Sequence, residues 1–92
     1  MHSADLNLVR VFVAVMEERG VTRAAERLHL TQSAISHALA RLRETLGDEL
    51  FIRGPDGMYP TPRALELAQS FKPALRQIEG ASQRVQEDTM RF

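Results

Sequence analysis

Between Thr31 and Arg43 the sequence reads TQSAISHALARLR, and its polar members are of a restricted kind. Gln32, Ser33, Ser36 and His37 are short or medium donors and acceptors, Arg41 is a long cation, and no acid occurs from Leu30 until Glu44. Such a set suits the reading of base edges. Gln pairs bidentately with adenine, Ser donates or accepts, and His can donate to a guanine acceptor. Short side chains keep a helix backbone close to the groove floor. Acids would repel phosphates there. Thr31 adds a hydroxyl at the helix start, where free N–H groups and the helix dipole favour an anion.

A helix must present these residues on one side. With Ile35 at the origin of a helical wheel, Leu39, Leu42 and Leu46 fall within about 40° of it. Ser33, His37, Ala40 and Glu44 point away, with Ser36 and Arg41 on the flanks. Ala34 and Ala38 border the apolar stripe and are small enough to pack against Ala24 and Ala25. Thr31 is the expected N-cap and Gly47 the expected C-terminal left-handed residue. A short helix, RAAERL, precedes it, with Thr22 as its expected N-cap and Ala24, Ala25 and Leu28 inward. The tight connection HLT then makes a helix-turn-helix. A first helix is expected after an N-cap at Asp5, carrying Val9, Phe12, Val13 and Met16 and stopped by Gly20.

Beyond Gly47 the pattern changes. ELFIR reads as a strand, GPDG as a turn and MYP as a returning strand, so a small β-hairpin wing is expected. Thr61 and Pro62 then open a fourth helix, as cap and first helical residue. Ala64, Leu67, Ala68, Phe71, Leu75, Ile78, Ser82 and Val85 form its stripe, and Pro73 is expected to kink or loosen its opposite face. The division is a winged helix-turn-helix over residues 1–61 and a linker and dimerisation helix over 62–92. The fold class is mainly α. Leu67, Phe71, Leu75, Ile78 and Val85 are the expected dimer contacts, because nothing else in so short a chain is left to cover Leu75, Ile78 and Val85.

Composition narrows the classes. The 92 residues suffice for one small domain but not for a large catalytic cleft. There is no cysteine, and His2, His29 and His37 lack metal-helix spacing. No metal or cofactor is expected. No apolar run is long enough for a membrane span and no signal-peptide pattern opens the chain, so a cytoplasmic, nucleoid-associated protein is expected. Twelve basic residues balance twelve acidic ones. Their distribution is uneven, however: Arg19, Arg23, Arg27, Arg41 and Arg43 face only Glu26 between positions 19 and 43. Asp48, Glu49 and Asp56 are expected to be solvated turn acids rather than a catalytic cluster, and an enzyme is not expected. His29 is expected to pack at the helix-turn-helix corner, and Met58 and Tyr59 to pack the wing on the body.

The segments LNLVRVFVAVMEERGVTRAAERLHLTQSAISHALARLRETLGDELFIRG and PTPRALELA closely resemble the N-terminal domain of LysR-type transcriptional regulators. The resemblance spans essentially the whole chain. It implies a winged helix-turn-helix that binds double-stranded DNA, and a linker helix that pairs with a second subunit. It further implies that Thr31, Gln32, Ser33, Ser36 and His37 face the major groove and that Arg53, on the wing, reaches phosphate or minor groove. Thr22, Arg23 and Arg41 join these as candidate DNA contacts, with Arg63 as a further phosphate candidate. Many members carry Arg where this sequence has His37 and Pro-Pro where it has Ser33 and Ala34, so base preference does not carry across. Members usually continue into an effector-binding domain. The chain stops at Phe92, so small-molecule sensing falls outside it, and truncation of a longer protein is favoured over a naturally short relative.

Overall fold

A computed structural model describes residues 6–90, with residues 82–90 considered only as helical backbone. The order is α1 (Leu6–Glu18), α2 (Val21–Leu28), α3 (Gln32–Leu46), β1 (Phe51–Gly54), β2 (Gly57–Pro60) and α4 (Pro62–Met90). The two strands pair antiparallel, Ile52 opposite Tyr59 and Arg53 opposite Met58. This is a winged helix-turn-helix with a long C-terminal helix, as the sequence predicts. No helix among the described residues is long and apolar enough to cross a membrane.

The core is organised around α1. Leu8 and Val11 through Val15 are all buried, because α2, α3, α4 and β2 each pack against this helix. Ala24 and Ala25 are buried on α2, and their lack of bulk lets the backbone of α2 come near its neighbours. Phe12 is fully buried between two rings: Phe51 at the wing base, 5.4 Å away, and Phe71 on α4, 5.2 Å away and edge-on. Both separations favour offset or edge-to-face attraction. One side chain therefore ties wing, first helix and last helix together.

The helix ends agree with the sequence at three points and differ at three. The Ala34 N–H donates to Thr31 Oγ1 at 3.0 Å, the Ala64 N–H donates to Thr61 Oγ1 at 3.1 Å, and Gly47 is left-handed at φ +63. By contrast, α2 begins at Val21, with Gly20 as an extended N-cap that supplies no side-chain bond, so Thr22 lies inside the helix rather than capping it. α1 ends at Glu18, and the left-handed residue that stops it is Arg19, not Gly20. His29 is left-handed and exposed instead of packing at the corner. Its contribution is through the backbone, donating to Glu26 O at 3.3 Å. The expected cap Asp5 lies outside the described residues. α4 continues through Pro73, which is exposed and does not interrupt the helix.

α1 and α4 run antiparallel, as the pairs Arg10–Glu79 (3.2 Å) and Glu17–Lys72 (3.5 Å) show. This crossing corrects one expectation. Leu75 is only 6% exposed, since the chain's own core covers it. Ala64 and Ala68 are buried with it, and Leu67 and Phe71 are half-buried. Ile78 remains 44% exposed. The Val85 side chain lies outside the described residues.

Where α3, wing and α4 meet, Asp48 accepts from the Leu50 N–H and from the Thr61 hydroxyl, each at 2.8 Å. The Leu50 N–H, then the Thr61 hydroxyl, hold its carboxyl below the usual aspartate range against a smaller effect of burial. A depressed folded pKa means that the stabilisation is complete above the unfolded pKa and is lost as pH falls through the folded one. Asp48→Ala should therefore lower the melting temperature at neutral pH and by much less at about pH 2. Thermal unfolding followed by circular dichroism across pH checks this; a pH-independent deficit would show that the carboxylate charge contributes nothing.

Candidate nucleic-acid interface

The start of α2, the start of α3 and the wing turn enclose one open cleft. Thr22, Arg23, Gln32, Ser36 and Arg53 all line it, beside Arg19, Gly20 and Asp56. The structure thus brings five of the nine candidate DNA contacts together. Ser33, His37 and Arg41 are exposed further round and along α3, and Thr31 is exposed at its cap. Among the described residues no side-chain hydrogen bond or ion pair engages Arg23, Gln32, Ser33, Ser36, His37, Arg41 or Arg53. Thr31 Oγ1 accepts its capping bond, and its hydroxyl proton is still available for donation.

α2 adds a donor set that the sequence reading did not single out. Its first ladder bond runs from the Ala24 N–H to Gly20 O, at 3.2 Å. The N–H groups of Val21, Thr22 and Arg23 precede that bond, on residues that line the cleft. An uncapped helix start beside Arg23 is suited to a phosphate oxygen. The signal in the sequence is Gly20 directly before VTR, a glycine that fits the start of α2 as well as the end of α1.

The basic run divides once partners are visible. Arg27 pairs with Glu17 at 2.9 Å and Glu18 at 3.3 Å, on the side of α1. Burial pushes the Glu17 carboxyl up, but the hydrogen bond and charge of Arg27, with help from Lys72, outweigh it and leave the carboxyl low. Arg43 donates to Glu49 O at 2.8 Å and Phe51 O at 3.3 Å, bracing the wing base. Neither guanidinium belongs to the cleft. Arg23, Arg41 and Arg53 remain as exposed cations on the candidate surface.

Arg19 has a positioning task. Its carbonyl accepts from the Met58 N–H at 2.9 Å, and its guanidinium lies 4.9 Å from the centre of the Tyr59 ring. Met58 is buried and Tyr59 half-buried, so both pack the wing on the body as the sequence suggests. The backbone contact requires Gly57, which has φ +127 and where a Cβ would collide with Arg19 O. Of the acids expected to be solvated, Asp48 is instead engaged by the Leu50 N–H and the Thr61 hydroxyl, and no group of three potential metal ligands occurs among the described residues.

A two-stranded wing beside a helix-turn-helix, with exposed candidate base-reading side chains and unpaired cations on one face, defines a winged-helix DNA-binding domain. Residues 6–65 match the model of the bacterial regulatory helix-turn-helix proteins of the lysR family, and the chain belongs to that family as a DNA-binding domain of its transcriptional regulators. The SbmA/BacA-like family model matches residues 64–92, which hold little beyond α4. Among curated proteins the chain is 45% identical over 75 residues to the HTH-type transcriptional regulator PhcA of Ralstonia nicotianae, covering 82% of this chain and 22% of that one. The chain spans about a quarter of the length of the curated relatives it matches. A probable transcriptional regulator from Pseudomonas aeruginosa superposes with a TM-score of 0.81 at 48% identity, over 84% of this chain and 26% of that one. The BenM_DBD/catB site 1 DNA complex contains a chain with TM-score 0.81 and 29% identity, over 92% of this chain and 96% of that one.

Gly57→Ala should destabilise the domain by about 1–3 kcal/mol through its positive φ and its contact with Arg19. DNA affinity should fall as well, because the wing must move away from the Arg19 carbonyl. Chemical denaturation and fluorescence anisotropy measure the two effects; a stable variant with parental affinity would show that this docking is dispensable.

Proposed function

We propose that the domain binds an interrupted inverted repeat as a homodimer. α3 enters the major groove, and the wing meets the adjacent minor groove or its backbone through Arg53. The observation that carries this reading is the shared cleft: the α2 start supplies phosphate donors, Gln32 and Ser36 supply base readers, and Arg53 supplies the wing cation. His37, Ser33 and Arg41 extend the contact along α3, and Thr31 adds a hydroxyl at its start. The likeness to a domain solved with DNA supports the same docking face. On this reading the protein acts on chromosomal DNA in the cytoplasm.

Selection from a random duplex pool tests the core of the proposal, with an interrupted inverted repeat as the expected product. On that site Gln32→Ala and His37→Ala should each cost about 1–3 kcal/mol and relax preference at one position per half-site. Equal losses on selected and random duplexes would reduce both residues to electrostatic contacts.

Dimerisation is assigned to residues 62–92, through Leu67 and Ile78 with Val85 further along. Phe71 lends only the part of its ring that Phe12 leaves open, and Leu75 drops out because its own chain buries it. Ala74, Ile78 and Ala81 are exposed at spacings that continue the Leu67 line, and an apolar line in water favours a two-fold mate. Ile78→Glu should give a folded monomer with affinity for the full repeat reduced roughly 10²–10⁴-fold. Sedimentation and circular dichroism check mass and fold; a parent that sediments as a monomer at high concentration would refute the dimer.

A further inference from the structure

The cleft holds two acids among its cations, and only one of them is neutralised. Glu18 accepts from Arg27. Asp56, exposed in the wing turn, accepts from the Tyr59 hydroxyl at 3.2 Å, and no cation pairs with it among the described residues. The same Tyr59 ring is held from its face by Arg19, so the carboxylate is anchored to the docked wing rather than swinging free. Arg53 and Asp56 therefore stand on either side of the Gly54–Pro55 corner with opposite charge, both lining the cleft.

We propose that Asp56 is a specificity-determining residue of the wing, which steers it away from narrow, A-tract minor grooves and towards flanks that contain G·C pairs. This rests on the reading that the wing meets the minor groove. A narrowed A-tract groove concentrates negative potential, which attracts an arginine and repels a carboxylate. Guanine alone presents a donor in the minor groove, its N2 amino group, and Asp56 is an acceptor without a cationic partner. Arg53 supplies general attraction, and Asp56 makes that attraction depend on the groove.

The test uses the full chain and two duplexes that carry the same selected inverted repeat. One is flanked by A-tracts, and the other by mixed G·C-containing sequence. The parent should prefer the mixed flank. Asp56→Asn keeps an acceptor and the size but removes the charge. It should strengthen binding to the A-tract duplex roughly two- to tenfold at low salt, with a smaller gain on the mixed flank and a smaller effect at high salt. Arg53→Ala should weaken binding to both duplexes. If Arg53→Ala weakens binding but Asp56→Asn leaves the ratio between duplexes unchanged, the assignment of Asp56 is wrong while the wing reading stands. If Arg53→Ala changes neither duplex, the wing does not meet DNA and both ideas fall.

Discussion

Asp48 joins three elements with two hydrogen bonds, to the Leu50 N–H and the Thr61 hydroxyl. Thr61 is used fully. Its hydroxyl donates to Asp48 and accepts from the Ala64 N–H to cap α4, while its own N–H donates to Leu50 O at 2.9 Å. Leu50 is fully buried at φ +65, a conformation that costs a branched residue energy and persists only where surroundings impose it. The surroundings here are this carboxylate below and the core above. A hairpin of two four-residue strands has little stability of its own. Its position therefore comes from its attachments, Asp48 and Arg43 at the base and Arg19 beside the turn. Arg53 is carried by these attachments to the cleft.

Electrostatics follow the same division between holding and presenting. The chain is neutral overall, yet several of its acids are engaged by partners, among them Glu18 at the edge of the cleft. Glu17 and Glu18 take Arg27, Glu79 takes Arg10, and Asp48 takes neutral donors. These pairs are partly exposed and contribute little stability individually. Their larger effect is on distribution: Arg23, Arg41 and Arg53 are left on a surface whose only unneutralised cleft acid is Asp56. A phosphate backbone responds to that local field rather than to the net charge.

What could be read from the sequence was local. Thr31 with Gly47, Thr61 with Pro62 and the GPDG turn are short-range signals, and the structure keeps all of them. Some failures were a choice between neighbouring residues, and others needed a partner from another element. Thr22 has the chemistry of a cap, but Gly20, two residues earlier, takes the extended N-cap conformation. Arg27 and Arg43 look like members of a basic face until Glu17 and the wing carbonyls are placed beside them. Helical periodicity marked one broad apolar stripe on α4 without dividing it. The antiparallel crossing of α1 makes the division, taking Ala64, Ala68 and Leu75 and leaving Ile78 in water. The candidate readers on α3 were legible because exposure there follows from one wheel. Their gathering with the α2 start and the wing was not, since three separate elements form the cleft.

The Phe51–Phe12–Phe71 contact gives the remaining step. Phe12 touches the wing base on one side and α4 on the other, at the centre of a close-packed core. Consequently α4 is not a free tether for the reading head. Its first half, through Leu75, is part of the same packed unit as α1 and the wing, and one turn further on Glu79 still pairs with Arg10. Under the proposed pairing, a mate that seats on the line through Ile78 engages a helix whose direction is already fixed relative to α3. The separation and tilt of two α3 helices would then be set by where the two α4 helices cross, with little freedom left at the domain itself. Half-site spacing would thus be encoded in the Leu67–Ile78 line, and base preference in α3. These are separate stretches of sequence, joined through the core in which Phe12 meets the wing base and α4.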